Sequence, residues 1–137
     1  MNYLLDTYAC IALINGTPAP VRNLMRKAID GGGHLFTSSI VLFELWYGVG
    51  KSSRPQANAQ RVEVFLSGPV TVLAFDDSDS RTAGAIRATL EVSGRPIGAY
   101  DLLVAGQAMA RELTLVTANV KEFSRIKGLK WEDWAKP

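Results

Sequence analysis

Three acidic side chains stand where carboxylates could bind a cation. Asp6 directly follows the short apolar segment 3–5, and Asp101 stands at the start of a predicted Ala-rich helix. Glu44 lies in a predicted helix that is apolar on nearly all sides, so this helix should be buried. No lysine or arginine stands three or four residues from Glu44. Because a buried, ionised carboxylate is costly without a cation or strong donors, the partner of Glu44 must come from elsewhere.

A divalent cation shared by Asp6, Glu44 and Asp101 would meet this requirement. Mg²⁺ prefers carboxylate and water oxygens and uses few protein ligands. Such an ion can polarise a phosphoryl oxygen or help to generate a hydroxide nucleophile. The acidic residues therefore indicate a metal site that could act on phosphoryl groups.

These residues also have a purely structural interpretation. Asp6 and Asp101 stand where helix N-caps are expected, and Asp is a favoured cap. Asn119 and Glu122 have the spacing of a capping box, with Asn in place of Ser or Thr. The aspartates within 76–79 are interpreted as turn and first-turn charges of a helix. For Asp6, Asp101 and Asn119, capping and a role in a site stay open as alternatives.

The elements that must position these side chains alternate between strands and helices. Apolar strands are predicted at 3–5, 34–37, 70–75 and 113–116, and helices over about 7–13, 21–29, 40–48, 56–66, a stretch ending near 92, and 101–112. A short helix and a tail with two tryptophans follow. This alternation predicts an α/β fold with parallel strands covered on both faces. In such sheets the active site lies beyond the carboxyl ends of the strands.

The composition limits the protein class. With 137 residues, 47% of them hydrophobic, the chain is predicted to form a single domain over 1–137. The net charge of +2 permits a nucleic-acid partner without arguing for one. Cys10 is the only cysteine and is expected in the core, which excludes an internal disulfide framework and a Cys-rich zinc site. Without a signal sequence or an unbroken apolar run of about 18 residues, the protein is expected in the cytoplasm and not in a membrane.

Four blocks of residues have the order of a known motif set. The blocks are Tyr3–Leu4–Leu5–Asp6–Thr7; Ser38–Ser39–Ile40 with Phe43–Glu44–Leu45 and Tyr47–Gly48; Gly94–Arg95–Pro96–Ile97–Gly98–Ala99–Tyr100–Asp101 with Ala105; and Leu115–Val116–Thr117, Asn119, Glu122–Phe123, Gly128–Leu129 and Glu132–Asp133–Trp134. Each block alone is weak support, but in this order they cover the whole chain. Together they resemble the VapC-type toxins of the PIN-domain superfamily.

The resemblance implies a three-layer α/β/α sandwich with a central, mainly parallel sheet, and RNA cleavage that depends on Mg²⁺ or Mn²⁺. By position, Asp6, Glu44 and Asp101 match the family's metal-binding residues, and Asn119 completes its catalytic set. Thr117 stands where a hydroxyl commonly supports that site. The first motif usually reads Leu-Asp-Thr-Asn, and here Tyr8 replaces the Asn that helps to order the acidic pocket.

The resemblance also implies partners. The likeness is greatest to toxins that cut initiator tRNA at the anticodon stem-loop, and such a toxin is held inactive by a cognate antitoxin. The helical hairpin expected over 42–65 could open as a groove for an amphipathic helix, with contacts at Trp46, Val62 and Phe65, unless these side chains pack in the protein's own core. A homodimer or a toxin–antitoxin hetero-oligomer is expected. The basic residues predicted to contact RNA phosphates are Lys51, Arg54, Arg81, Arg87, Arg95, Lys121 and Arg125.

Other families with an acidic residue after the first strand fit less well. Haloacid-dehalogenase phosphatases need a second Asp where Tyr8 stands. Response-regulator receiver domains need paired acids at the first strand and a lysine after the last one, where 116–118 contain none. From another class, a catalytically impaired PIN-like domain would only bind RNA or a partner protein. Tyr8 favours that alternative, and the intact acidic set argues against it.

Overall fold

The computed structural model describes residues 1–136 and contains five strands and seven helices. The strands are β1 (Asn2–Leu5), β2 (His34–Ser38), β3 (Val70–Leu73), β4 (Thr114–Val116) and β5 (Trp131–Glu132). The helices are α1 (Thr7–Asn15), α2 (Pro20–Asp30), α3 (Ser39–Lys51), α4 (Pro55–Leu66), α5 (Asp77–Val92), α6 (Ala99–Ala110) and α7 (Val120–Phe123). The predicted alternation of strands and helices is therefore present.

The strands form one sheet in the order β3-β2-β1-β4-β5, and every neighbouring pair is parallel. At the end of the central strand β1, Leu5 pairs with Thr37 of β2 and with Val116 of β4. The carboxyl ends of these three strands therefore meet at one edge of the sheet. Asp6 and Thr117 directly follow that edge.

Apolar packing covers both faces of the sheet. Leu4 and Leu5, consecutive in β1, are both 0% exposed, and Leu115 and Val116 of β4 are equally buried. Because successive side chains of a strand point to opposite faces, helices must cover the sheet on each side. The predicted three-layer α/β/α sandwich with a parallel central sheet is confirmed.

Helices α5 and α6 pack closely against each other. Gly106 permits the approach, since a Cβ atom at this position would lie 2.5 Å from the Cβ of Ala83. Asp79 lies in the first turn of α5, as predicted, and forms a capping box with Asp76. It is also fully buried and ion-paired with Arg111, which the pattern of the sequence did not predict.

The start of α6 and the presence of β5 differ from the sequence-based expectation. Helix α6 begins at Ala99, with Gly98 as its N-cap, so Asp101 does not open it. Strand β5 was not predicted, because its two residues have no alternating pattern. Its place is set by backbone pairing, in which the Leu115 N–H donates to the Lys130 carbonyl at 2.9 Å.

The remaining sequence-based expectations concern Cys10 and membranes. Cys10 is buried and unpaired, as predicted. Within residues 1–136, no helix has both the length and the apolar character needed to cross a membrane.

Candidate active site

Asp6 is held at the carboxyl end of β1. It is the N-cap of α1, and its Oδ1 accepts a hydrogen bond from the Ala9 backbone N–H at 2.8 Å. Thr117, which follows β4, lies near enough to this carboxylate for its side chain to lower the pKa of Asp6. The side chain of Asp6 is buried, with 3% exposed. Capping by Asp6 is thus present, but it uses only part of the acceptor capacity of a carboxylate.

Glu44 reaches the same region from α3. Its Oε1 accepts a hydrogen bond from the Thr7 hydroxyl at 2.8 Å, and Thr7 is the residue after Asp6. The prediction that α3 is buried on all sides is wrong, since Phe43 and Tyr47 are 54% and 61% exposed. Helix α3 packs against its neighbours on one side and leaves this aromatic side in water. Glu44 is therefore half-buried, and a hydroxyl is its hydrogen-bond donor.

Asp101 is linked to the loop after β4 by a side-chain amide. Its Oδ2 accepts a hydrogen bond from Asn119 Nδ2 at 3.3 Å, and the same nitrogen donates to Glu122 Oε2 at 2.7 Å. Asn119 makes no side-chain capping bond, so the predicted capping box is wrong. Its backbone N–H donates instead to the Thr117 hydroxyl at 3.0 Å. The amide of Asn119 therefore bridges the carboxylates of Asp101 and Glu122.

Glu122 is a neighbour of the site that sequence reasoning did not assign to it. Its Oε1 accepts a hydrogen bond from the Gly98 backbone N–H at 3.3 Å, and its charge raises the pKa of Asp101. The spacing of Asn119 and Glu122 in the sequence fits a contact between their side chains, but it fits helix capping equally well. Only the hydrogen bond from Gly98, the N-cap of α6, to Glu122 indicates the other role.

The pKa shifts of Asp6 and Asp101 reflect their burial and, to a smaller extent, the charges of neighbouring carboxylates. Burial raises the pKa of Asp6 to about 7, with hydrogen bonds from Thr117 and Ala9 lowering it and the charges of Asp101 and Glu44 raising it. Burial also raises the pKa of Asp101, as do the charges of Glu122 and Glu44, against the hydrogen bond from Asn119. The charges of Asp6, Glu44 and Asp101 therefore influence one another although the residues lie far apart in the sequence, and this group of three carboxylates is called the acidic pocket below.

The donor set of this acidic pocket suits a hard divalent cation. Carboxylate oxygens are the ligands that Mg²⁺ prefers, and Mn²⁺ accepts the same set. A cation would also stabilise the ionised form of Asp6, which burial disfavours. Within residues 1–136, no three acidic, histidine or cysteine side chains are gathered tightly enough for direct coordination as they stand. Mg²⁺ usually keeps several water ligands, which would span the remaining distances.

A family model described as PIN domain matches residues 3–129. The chain belongs to the PIN domain family. Its resemblance to VapC-type toxins is confirmed by two relatives of nearly equal length. The tRNA(fMet)-specific endonuclease VapC of Shigella flexneri is 40% identical over 135 residues, which cover 98% of this chain and 99% of that protein. Ribonuclease VapC2 of Rickettsia felis is 40% identical over 136 residues, which cover 99% of this chain and all of that protein.

Solved structures share this PIN-domain architecture. A chain of VapBC2 from Rickettsia felis, bound to a DNA fragment from its promoter, superposes with a TM-score of 0.90 at 38% identity, covering 96% of this chain and 98% of that one. A chain of VapBC from Salmonella typhimurium, also bound to DNA, gives a TM-score of 0.89 at 40% identity and 98% coverage of both chains. These neighbours are complexes of the VapBC type.

Two further features of this PIN domain lie next to Thr7 or Glu44. Tyr8, in place of the usual Asn, is 62% exposed, and the preceding Thr7 makes the hydrogen bond to Glu44. An apolar groove of about 240 Å³ lies between α1, α3 and α4, and Glu44 is one of its lining residues. Its apolar lining consists of Ile11, Ile14, Leu45, Val49 and Val62.

Proposed function

We propose that this chain is the toxin component of a type II toxin–antitoxin system and a divalent-metal-dependent endoribonuclease. The proposal is supported by hydrogen bonds near the carboxyl ends of β1 and β4. Asp6 directly follows β1, Thr7 donates to Glu44, and Asn119, in the loop after β4, donates to Asp101. Relatives that match nearly the whole chain are named as a tRNA(fMet)-specific endonuclease and a ribonuclease, which supports the proposed reaction.

Each carboxylate of the proposed metal site has a neutral hydrogen-bond donor that orients it. The Ala9 N–H orients Asp6, Thr7 orients Glu44, and Asn119 orients Asp101. Bound in this acidic pocket, Mg²⁺ or Mn²⁺ would polarise a phosphoryl oxygen and lower the pKa of the attacking water. Without a cation the pocket repels the RNA backbone, so cleavage should require a metal.

A tRNA is the proposed substrate, more specifically initiator tRNA cut at the anticodon stem-loop. The support comes from two relatives, of Shigella flexneri and Salmonella typhimurium, which are named tRNA(fMet)-specific endonuclease VapC and are each 40% identical to this chain. Cleavage of purified initiator tRNA, with an elongator tRNA for comparison, tests activity and substrate together. Product should form with Mg²⁺ or Mn²⁺ and should not form in EDTA.

Asp101→Asn should abolish cleavage and leave the protein folded. The substitution removes the negative charge but keeps the size of the side chain and an oxygen that accepts from Asn119. Asp77→Asn is the matched control, since this carboxylate is 81% exposed and paired only with the exposed Arg81, so it should cleave like the parent. A wild-type rate in Asp101→Asn would refute the metal role. A parent that binds tRNA tightly but never cuts it would instead be a PIN-like domain that only binds RNA or a partner protein.

Basic residues near the acidic pocket are proposed to contact RNA phosphates. Arg81 and Arg87 form exposed ion pairs with acidic residues of α5. Because these pairs partly neutralise their charges, the two arginines are weaker candidates for phosphate contacts. Arg125 donates through Nη1 to the Pro96 carbonyl at 2.9 Å, in the loop that leads to Asp101. Binding should weaken as salt increases, because neutralised phosphates release counterions. An affinity that is unchanged between low and physiological salt would contradict this role.

An antitoxin is the proposed protein partner, and the apolar groove between α1, α3 and α4 is its proposed dock. Val62, one of the predicted contacts, lines the groove. Trp46 and Phe65 lie on the same two helices, exposed and half-buried respectively, and stay predicted contacts at its border. Because Glu44 also lines the groove, an antitoxin arginine or lysine could bind there in competition with the metal.

Ile11→Glu tests this dock. Ile11 lines the groove and is 43% exposed, so a charge at this position should weaken antitoxin binding without unfolding the protein. Val92→Glu is the control, since Val92 is 90% exposed on α5, away from the groove. A folded Ile11→Glu variant that binds antitoxin at full strength would place the dock elsewhere. Sedimentation of the same samples would distinguish a homodimer from a toxin–antitoxin hetero-oligomer.

A further inference from the structure

An exposed pair of aromatic rings lies beside the acidic pocket. Phe43 directly precedes Glu44, and Tyr100 directly precedes Asp101. The centroids of the two rings are 5.6 Å apart, with an angle of 53° between their planes. The side chains are 54% and 49% exposed, whereas the other four phenylalanines of the chain are buried or half-buried. Two large rings held side by side in water form a contiguous exposed apolar surface, the kind of feature that often serves in binding.

Helix geometry explains why the rings border the acidic pocket and do not fill it. Consecutive residues of a helix are rotated by about 100° around its axis, so a ring and the carboxylate that follows it point in different directions. Helices α3 and α6 each direct a carboxylate to the pocket and a ring to its rim. The contact between Phe43 and Tyr100 then bridges the two helices at that rim.

The aromatic surface continues along α3 and ends at a cation. Tyr47 stands four residues after Phe43, on the same side of the helix, and is 61% exposed. Lys51 stands four residues further on, with its Nζ 4.9 Å above the centroid of the Tyr47 ring. Rings followed by a cation are typical of surfaces that bind single-stranded nucleic acid. Lysine is depleted where two protein surfaces pack together, so a second copy of this chain is the less suitable occupant.

We propose that the Phe43–Tyr100 pair stacks an unpaired RNA base next to the phosphate that is cut, and so positions the substrate. This inference rests on the proposed ribonuclease function. A phosphate bound at the carboxylates joins two nucleosides, so a base lies on either side of it. The nearest protein surface for such a base is the rim of the acidic pocket. A base in a duplex is stacked on its neighbours, whereas a loop base can be splayed out onto a ring. The pair therefore selects loops over stems with little regard to base identity, since every base has a π-face.

Fluorescence of 2-aminopurine provides a direct test, because stacking on a ring quenches it. The probe is initiator tRNA with 2-aminopurine at each anticodon-loop purine in turn, bound to the Asp101→Asn variant to prevent cleavage. At one position at least, the protein should quench the probe. Adding Phe43→Leu or Tyr100→Leu should remove the quenching and raise the Kd about tenfold, the lower part of the range for loss of one stacking ring. Tyr100→Phe, which keeps the ring, should behave like its parent.

The cleavage reaction gives the second readout. In the chain with Asp101 intact, Phe43→Leu should lower kcat/KM about tenfold, mainly through KM, because stacking acts on bound substrate and transition state alike. Trp131→Leu removes another exposed ring, on the edge strand β5, and should leave both constants unchanged. Phe43→Leu and Trp131→Leu each keep an apolar side chain at a partly exposed position. Circular dichroism would verify that both variants fold.

The outcomes separate this inference from the proposed function. If the parent cuts tRNA but the leucine variants retain full quenching and affinity, only the stacking role is overturned. If the variants dissociate a dimer in sedimentation while their affinity for tRNA stays unchanged, the pair packs against a second copy and the inference is also overturned. A parent that neither binds nor cuts any tRNA overturns the ribonuclease proposal, and the stacking role with it.

Discussion

Replacing Arg111 with Met should destabilise the protein through the carboxylate that it leaves behind. Asp79 is 0% exposed, and Arg111 donates to it from Nε at 3.2 Å and from Nη2 at 3.0 Å. Methionine keeps much of the apolar stem of Arg111 but has no charge and no donor. Removing one member of a buried ion pair costs about 3–5 kcal/mol, because the remaining charge stays buried without a counter-charge.

The surroundings of the Asp79–Arg111 ion pair place the expected loss of stability at the lower end of the range of about 3–5 kcal/mol. The side chain of Arg111 is 30% exposed, so water already screens part of its charge. Asp79 also keeps the hydrogen bonds from the Asp76 N–H at 2.9 Å and from Gln107 Nε2 at 3.1 Å. We therefore expect the free energy of unfolding to fall by about 3 kcal/mol, and Tm by about 10 °C for a chain of this size.

The effect should depend on pH. Burial by itself would raise the pKa of Asp79, but the hydrogen bonds from Arg111 and Asp76 and the charge of Arg111 lower it below its ordinary value of 3.8. A carboxyl group with a lowered pKa in the folded state stabilises the protein above its unfolded pKa, and this stability is lost as the pH falls through the folded pKa. The difference between parent and variant should be complete at pH 7 and should shrink as the pH falls toward and below about 4.

Urea unfolding followed by tryptophan fluorescence would measure these differences. Arg87→Met is the control, because its ion pair with Glu91 is exposed on both sides and should contribute nothing measurable. In an Asp79→Asn background, Arg111→Met should cost far less, since no buried charge is left without a partner. Equal losses with and without the Asp79→Asn substitution would show that lost packing, and not charge, explains the effect.

Two other predictions follow from the packing. Gly106→Ala should lower the free energy of unfolding by about 1–3 kcal/mol in thermal or urea unfolding, because the new methyl group would lie 2.7 Å from the backbone Cα of Ala83. Gly84→Ala, in an exposed part of α5 with open space around it, should instead be neutral or stabilise by up to about 1 kcal/mol, and a matching loss there would contradict the packing argument. Burial raises the pKa of the Cys10 thiol to about 12, so iodoacetamide at pH 8 should label it only after unfolding. Rapid labelling of the native protein, read by mass spectrometry, would be inconsistent with that burial.

The sequence by itself determined the architecture and the family. Short apolar strands alternating with amphipathic helices are local patterns, and they leave few arrangements other than a parallel sheet covered on both faces. The position of Asp6 directly after a strand followed from the same patterns, because strand ends place their next residue at the edge of the sheet. The ordered motif blocks then identified the PIN domain before any contact was known.

Only the tertiary structure decided what the polar side chains contact. Asn119 has capping-box spacing, yet its amide bridges Asp101 and Glu122, because α6 brings Asp101 close to the loop after β4. Asp79 belongs to a capping box and also to a buried ion pair, because its partner Arg111 stands far along the chain at the end of α6.

The exposure of the aromatic side of α3 was also decided by the tertiary structure. Phe43 is as apolar as any core residue, and a residue type alone does not reveal which side of a helix its neighbours cover. Hydrophobic periodicity is a short-range signal that defines elements, whereas hydrogen bonds and burial depend on contacts between elements distant in the chain. Strands β1 to β4 and the place of Asp6 after β1 could therefore be predicted, while the donors around each carboxylate and the contact between Phe43 and Tyr100 could not.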